Sequence, residues 1–170
     1  MRKGWVFVAG LVVAACCQHS VPEPGPVHAQ IQQQDRCHLC GMVLVRYPGP
    51  KGVAELATAQ QLKFCSSRDL FAFLLQPDRG RQVVEALVHD MNRNDWHQPQ
   101  DQFVRVEDAW YVYGSDRPAA MGPALASFGT EQSAQQFADQ YGGQLLRFNQ
   151  ISLALLSGDM RAASGGRKRH

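Results

Sequence analysis

A ten-residue pattern that occurs twice is the strongest constraint on how this chain folds. Residues 64–73 read FCSSRDLFAF and residues 128–137 read FGTEQSAQQF, so each copy begins and ends with phenylalanine. Serine or threonine stands at the third position of both copies, where it is a typical helix N-cap, and apolar residues follow at helical spacing. The second copy runs on to about Tyr141 and meets two glycines, Gly142 and Gly143, which typically end a helix. The repeat therefore predicts two related helical segments.

Strand-like segments surround both predicted helices in the same order. They are residues 42–46, 54–57 and 83–89 in the first half, and residues 110–113, 125–128 and 144–148 in the second. Short apolar and β-branched runs bounded by glycine, proline and polar residues are typical of strands. Two strands, a helix and a further strand in each half predict an α+β fold made of two tandem ββαβ units.

The composition of the chain predicts where these units begin and end. The two units occupy residues 35–98 and 102–160, and residues 98–102 link them. Proline and glutamine are frequent in residues 16–34, which favours a flexible tether. Residues 161–170 end in SGGRKRH, and we expect them to form a disordered basic tail.

The N-terminus is typical of a bacterial signal peptide. Residues 1–15 combine a basic start, an apolar run of ten residues and two small alanines. That run is shorter than the roughly 20 residues that an anchoring helix needs. The string VAAC that ends at Cys16 resembles a lipobox, in which the cysteine becomes the first mature residue and carries lipid. We expect Cys16 to be lipidated; lipidation of Cys17, or secretion with both cysteines retained, stays open.

The distribution of charge argues against binding to nucleic acid. The formal net charge is +2, from 17 basic and 15 acidic residues. Without Arg2 and Lys3 the chain has 15 of each, and without residues 167–169 as well it has 12 basic against 15 acidic residues. The body of the protein therefore has no basic excess for phosphate contacts.

The chemistry of the chain concentrates in the run DRCHLCGM, residues 35–42. Cys37 and Cys40 are three apart, so both sulfurs reach one ion if the backbone turns at Gly41. A disulfide or a thioredoxin-type redox pair is one interpretation. Reactive pairs usually stand at a helix N-terminus, whereas an apolar and β-branched run follows Cys40. A structural disulfide in an oxidising compartment remains open.

Structural zinc is a second interpretation. Cys37, Cys40 and Cys65 resemble a treble-clef or TRASH-type site, in which one more cysteine follows four residues after the third. Asp69 occupies that last position here, and three cysteines with an aspartate can bind zinc. A third and minor interpretation is cleavage of a carbon–mercury bond by Cys40, Cys65 and Asp69.

A Cu(I) site is the fourth interpretation, because thiolates and thioethers together select soft ions. Met42 stands two residues after Cys40, and in an extended segment both side chains point to one face. Met121 lies in a predicted loop, where we expect its thioether to be exposed. Sulfur from both halves would then meet at a site between them. Three histidines are further candidate donors: His38, His89 and His97.

These motifs together resemble the NosL family of copper-binding lipoproteins. The matching features lie between about Cys37 and Phe148 and follow the lipobox Cys16. They are CHLCGM from Cys37, PGPK from Pro48, FCSSRDLF from Phe64, LQP from Leu75, Asp90-Met91 with Trp96, WYV from Trp110, MGP from Met121, and Phe137-Ala138 with Gly142-Gly143.

The resemblance implies a fold, a function and partners. The family's two ββαβ halves resemble the topology of organomercurial lyase. The resemblance implies a metallochaperone without enzymatic turnover, which holds Cu(I) in the periplasm for the maturation of nitrous oxide reductase. It also implies that the protein docks to an ABC-type membrane complex. Carried over to this chain, the expected copper ligands are Cys40, Met42 and Met121. Secondary candidates are Cys37, Met91 and Cys65.

Two classes of function therefore remain open. One is the lipid-anchored Cu(I)-binding protein, and the other is a thiol-disulfide redox protein or structural zinc module that uses Cys37, Cys40 and Cys65. We expect the periplasmic face of the cell envelope as the location. Cys17, rather than aspartate, follows Cys16, which by analogy with bacterial sorting favours the outer membrane.

Overall fold

The protein folds into two antiparallel sheets with short helices within residues 28–158, the part of the chain that this computed structural model describes. The strands there are β1 (Gly52–Leu56), β2 (Gln61–Phe64), β3 (Val83–His89), β4 (Phe103–Arg105), β5 (Trp110–Ser115), β6 (Ala124–Phe128) and β7 (Gln144–Arg147). The helices are α1 (Ser67–Leu74), α2 (Pro77–Gly80), α3 (Glu131–Tyr141) and α4 (Leu153–Leu156). Leu44–Arg46 and Phe148–Gln150 form single 3-10 turns.

Both halves have the same strand topology, which confirms the predicted mixed fold of two ββαβ units. The first sheet has the order β2-β1-β3-β4 and the second the order β6-β5-β7. In each half the first strand is central, the second strand forms a hairpin with it, and the strand after the helix pairs antiparallel on its other side. The likeness to organomercurial lyase stays a prediction.

The two repeated helices begin in the same way. Ser66 caps α1 by accepting a hydrogen bond from the backbone N–H of Asp69 at 3.1 Å. Thr130 caps α3 by accepting from the N–H of Ser133 at 3.3 Å. At its other end α3 stops at Gly142, whose φ of +71° is in the left-handed region that favours glycine. The predicted start and stop signals are thus confirmed.

One predicted strand is wrong, whereas the other five overlap observed strands. Residues 42–46 form a single bridge between Val43 and Arg36 and then a 3-10 turn. The N–H of Leu44 donates to the carbonyl of Asp35 at 3.0 Å, which commits this backbone to a turn. The β-branched residues here favour a strand locally, but no neighbouring strand supplies the ladder of hydrogen bonds.

The two halves share one hydrophobic core. The Phe71 ring in α1 packs edge-on against Tyr111 of β5, with ring centroids 5.1 Å apart, and lies 5.6 Å from the Phe148 ring. Strand β4 follows the predicted linker directly and pairs with β3, so the first sheet extends beyond residue 98. The halves are therefore two repeats around a common core, with the chain crossing between sheets after Arg105.

The chain packs against the first sheet earlier than the composition predicts. Ala29, inside the predicted tether, is buried beside Val53 and Leu87. The backbone N–H of Ile31 donates to the carboxylate of Asp101 at 2.9 Å. These contacts hold residues that a proline- and glutamine-rich composition assigns to a flexible segment.

Several predicted features lie outside the described residues. They are the signal peptide at 1–15, the lipid-bearing Cys16, the tether up to residue 27 and the tail at 161–170. Their boundaries stay predictions. Among residues 28–158, no helix is both long enough and apolar enough to cross a membrane.

Helix α1 lies directly on strand β1 because Gly52 has no side chain. A Cβ atom at Gly52 would stand 2.7 Å from the Cβ of Leu70, closer than real side-chain atoms approach. The backbone N–H of Ser67 also donates to the carbonyl of Pro50 at 3.1 Å. The first turn of α1 is therefore held at the start of β1.

The cap of α3 provides a test of the fold away from the cysteines. Replacing Thr130 by alanine removes the acceptor for the Ser133 N–H, and we expect the free energy of unfolding to fall by about 1 kcal/mol. Urea denaturation measures this change. Thr130→Ser keeps the acceptor and should stay close to wild type; an equal loss in both variants would contradict a capping role.

Candidate metal centre

The CHLCGM motif forms a tight turn that its own backbone closes. The N–H of Cys37 donates to the carbonyl of Met42 at 2.9 Å, and the N–H of Gly41 donates to the carbonyl of Cys37 at 2.8 Å. Gly41 has a φ of +74°, which a residue with a Cβ rarely adopts. The turn directs the side chains of Cys37 and Cys40 toward a common point, as the spacing predicts.

Strand β2 brings a third cysteine to this turn. The N–H of His38 donates to the carbonyl of Lys63 at 2.8 Å, which places the turn against β2. Cys65 follows the last residue of β2, and Asp69 lies in the first turn of α1. Because Ser66 caps this helix, the chain reverses sharply and the Asp69 carboxylate comes within 3.3 Å of the Cys65 sulfur.

Four donor atoms converge at this place. The Sγ atoms of Cys37, Cys40 and Cys65 and a carboxylate oxygen of Asp69 all lie within 4.8 Å of one another. Sγ of Cys40 is 3.6 Å from Sγ of Cys65, and Sγ of Cys37 is 3.6 Å from Oδ2 of Asp69. Cys37, Cys65 and Asp69 are buried, whereas Cys40 is exposed. All three cysteines are free thiols in the structure.

The electrostatics of the cluster favour one thiolate. The interaction with the Cys65 side chain is the main cause that lowers the pKa of Cys37 to about 4; together with smaller contributions from backbone hydrogen bonds, it outweighs the opposing effect of burial. The same interaction, followed by burial and the charge of Asp69, raises the pKa of Cys65. Burial is the main cause that raises the pKa of Asp69 and of Cys40. Among the three thiols, Cys37 therefore has the lowest pKa.

The donor set fits a single four-coordinate metal ion. Three sulfurs and one carboxylate oxygen form a complete set for zinc, which takes thiolate and carboxylate ligands in tetrahedral geometry. Three sulfurs also suit a soft ion such as Cu(I), which needs no carboxylate. The cluster thus satisfies the geometric requirement of the zinc hypothesis. It also contains the two cysteines and the aspartate of the carbon–mercury hypothesis.

The predicted methionine ligands lie in different surroundings. Met42 is half-buried, and its backbone hydrogen-bonds the Cys40 sulfur. The argument that Met42 and Cys40 share one face of a strand is wrong, because this segment is a turn. Met121 lies in the loop between β5 and β6, and 38% of it is exposed, as expected. Copper ligation by Met42 and Met121 stays a prediction.

The secondary candidate Met91 packs in a hydrophobic cluster of the second half together with Trp96 and Phe128. The histidines also lie elsewhere. The His38 ring packs edge-on against Phe64 and Phe73.

His89 is buried and lies outside the cluster. Its Nδ1 accepts a hydrogen bond from the backbone N–H of Lys51 at 3.2 Å. Burial, helped by the positive charge of Lys51, lowers the pKa of His89 to about 3. His97 is exposed in the segment between β3 and β4.

Cys65 and Asp69 carry more of the site than the copper interpretation assigned to them. That interpretation makes Cys65 a secondary candidate and does not include Asp69 in the ligand set, although both belong to the zinc interpretation. Their spacing in the CSSRD run was the available signal, since a helix cap between residues four apart turns both side chains to one place. The contact with Cys37 and Cys40 depends on the tertiary fold.

Fold and site together define a small metal-binding protein with two antiparallel sheets and a thiol-rich cluster at one edge. The chain belongs to the NosL family, whose model, described as NosL, matches residues 27–156. The resemblance inferred from the motifs is thereby confirmed.

Two similar proteins carry the name copper-binding lipoprotein NosL. The one from Stutzerimonas stutzeri is 39% identical over 137 residues, which cover 80% of this chain and 72% of that protein. The one from Achromobacter cycloclastes is 30% identical over 161 residues, covering 91% of this chain and 83% of that protein. The crystal structure of the copper chaperone NosL from Shewanella denitrificans matches with a TM-score of 0.73 and 43% identity, covering 78% of this chain and 99% of that one.

The low pKa of Cys37 predicts a distinctive thiol titration. In the reduced, metal-free protein we expect one thiolate, seen by its absorbance near 240 nm, to persist down to about pH 4 and then to protonate. Because this pKa is below that of an unfolded cysteine, its contribution to stability is complete above about pH 8.5 and is lost as the pH falls through about 4. Cys37→Ser should remove the acidic step, and its persistence would assign the thiolate to another cysteine.

Proposed function

We propose that this chain is a lipid-anchored, Cu(I)-binding metallochaperone that delivers copper for the maturation of nitrous oxide reductase. The convergence of Cys37, Cys40 and Cys65 beside Asp69 carries this proposal. The names of its relatives, copper-binding lipoprotein and copper chaperone, support it. The role is binding and transfer, without turnover of a substrate.

Cu(I) is the proposed cargo because sulfur predominates among the available donors. A monovalent d¹⁰ ion prefers soft thiolates and thioethers to oxygen. Cys37 and Cys40 supply thiols in the proposed ligand set, and Met42 and Met121 supply thioethers. Cys65 lies 3.6 Å from Cys40 and can join the same ion.

A structural zinc module is the second candidate, and one observation favours it. The carboxylate of Asp69 lies among the three thiols and completes a four-donor set without any thioether. Zinc accepts carboxylate oxygen readily, whereas Cu(I) gains little from it. The two candidates therefore differ in which side chains they need. For the thiol redox alternative, the close sulfur pair is Cys40 with Cys65.

Location and partners are inferred from the family and from the N-terminal sequence. We propose that Cys16 carries lipid and holds the protein at the periplasmic face of the cell envelope, on the outer rather than the inner membrane. The proposed partners are an ABC-type maturation complex and nitrous oxide reductase. Copper passes to nitrous oxide reductase either directly or by way of the complex. The lipoprotein names of two relatives support the anchor.

Paired competition titrations with Cu(I) and Zn(II) distinguish the two candidates. In the reduced fragment that begins at Gln18, we expect Met42→Leu and Met121→Leu each to lower the Cu(I) affinity by about tenfold or more and to leave the Zn(II) affinity unchanged. Asp69→Asn should weaken Zn(II) more than Cu(I). Met91→Leu is the matched control, because Met91 packs in a separate hydrophobic cluster.

An unchanged Cu(I) affinity after removal of both thioethers would refute the proposed ligand set. Tight Zn(II) binding with no Cu(I) binding in the wild type would instead favour the structural zinc module.

Lipidation is tested separately with two neighbouring cysteines. When cells are labelled with palmitate, we expect Cys16→Ala to abolish incorporation into this protein, because the lipobox presents Cys16 to the modifying enzyme. Cys17→Ala is the control and should still be labelled. Loss of label in Cys17→Ala alone would move the lipid to Cys17.

A further inference from the structure

We propose that Arg68 is a positioning residue that ties the Met121 loop to the thiol cluster, an inference that rests on the copper-binding function proposed above. Arg68 lies in the first turn of α1, between the cap Ser66 and Asp69. The Met121 loop, residues 116–123, connects β5 to β6 in the other half of the protein.

The guanidinium of Arg68 holds two backbone segments at once. Nη1 donates a hydrogen bond to the carbonyl of Met121, and Nη2 donates to the carbonyl of Leu156, the last residue of α4, at 2.5 Å. Arg68 is half-buried and forms no salt bridge with any carboxylate of residues 28–158. Its charged donors therefore serve these two carbonyls, and hydrogen bonds from a charged donor are about twice as strong as neutral ones.

The residue after Met121 lies against the same guanidinium nitrogen. Gly122 has a φ of +88°, and a Cβ there would stand 2.6 Å from Nη1 of Arg68. The positive φ is what favours glycine at this position, and the absence of a side chain leaves room for the guanidinium. The contact therefore joins the guanidinium of Arg68 in α1 to the loop backbone at Met121 and Gly122.

The other described contacts of the loop lie on its earlier residues. The indole N–H of Trp96 donates to the carbonyl of Pro118 at 2.8 Å. The Cβ of Ala119 lies 3.4 Å from where a Cβ on Gly49 would be, so this part of the loop touches the turn before β1. These contacts hold the beginning of the loop, whereas Arg68 holds Met121 itself.

Arg68 can therefore control copper binding without touching copper. It joins Met121, the proposed thioether ligand from the second half, to the helix that begins beside Cys65 and contains Asp69. When the two hydrogen bonds are lost, the backbone of Met121 is no longer held to the helix that contains Asp69. The loss of affinity should equal the contribution of Met121 and leave the contribution of the cysteines intact.

A double-mutant cycle tests this coupling. The full chain, purified in detergent and reduced, carries Cys16→Ser and Cys17→Ser so that its N-terminal sulfurs do not bind Cu(I). In competition titrations we expect R68Q to lower the Cu(I) affinity by about tenfold, M121L to lower it similarly, and the R68Q/M121L double variant to match M121L alone. R68K, which can still donate to a carbonyl, should recover part of the loss. R81Q removes an exposed charge in the same half and should match the wild type.

A spectroscopic readout separates positioning from stability. With ¹³C-labelled methionine methyl groups, the Met121 signal, assigned by its absence in M121L, should shift on Cu(I) addition in the wild type and stay in place in R68Q. A purely structural role would lower the urea midpoint of R68Q while the Met121 signal still shifts, and this would overturn the inference. The inference would also be overturned if R68Q lowered the Cu(I) affinity by the same factor in the wild-type and M121L backgrounds. A wild type that binds no Cu(I) would refute the proposed function itself.

Discussion

The hydrogen bond from the His38 N–H to the Lys63 carbonyl holds the metal centre together, because it joins the two chain segments that carry thiols. Strand β2 is at the edge of its sheet, so its outer backbone groups are free to bind another segment. The cysteine turn covers this edge, and the ammonium of Lys63 binds the Asp35 carboxylate at 2.5 Å beside it. A CxxC turn by itself brings two sulfurs together. Docking of that turn on β2 is what adds Cys65 and, through the cap of α1, Asp69.

The repeat shows how one topology supports two different tasks. Phe64 and Phe128 occupy equivalent positions, yet the next residue is Cys65 in the first half and Gly129 in the second. The N–H of Gly129 donates to the carboxylate of Asp90 at 2.9 Å, and a Cβ at this glycine would stand 2.7 Å from that carboxylate. Gly129, which is equivalent to Cys65, therefore joins the two halves through its hydrogen bond to Asp90. The chemistry of the cluster is confined to the first unit, and the second unit contributes a scaffold and the Met121 loop.

The sequence predicts the repeated parts of this fold well, because their signals are local. Both helices, their caps and the long strand β3 follow from spacing and capping residues alone. Residues 42–46 were mispredicted because Val43 and Val45 favour a strand, whereas the backbone is committed to the turn that precedes them. In the site, the cysteine pair was recognisable from its spacing. The convergence of Cys65 and Asp69 on that pair depends on the pairing of distant segments, which no local pattern contains.

The unequal exposure of the four donors separates the strength of binding from the speed of exchange. Cys37, Cys65 and Asp69 are buried, and water or a competing ligand reaches the cluster from the side of Cys40. The enclosed donors would therefore set how tightly an ion is held, while Cys40 would set how fast it enters and leaves. In the proposed metallochaperone, this arrangement would retain the ion against loss to solvent and release it quickly to an acceptor that replaces the Cys40 sulfur. The acceptor that receives the ion would then be the one whose surface fits the surface around Cys40.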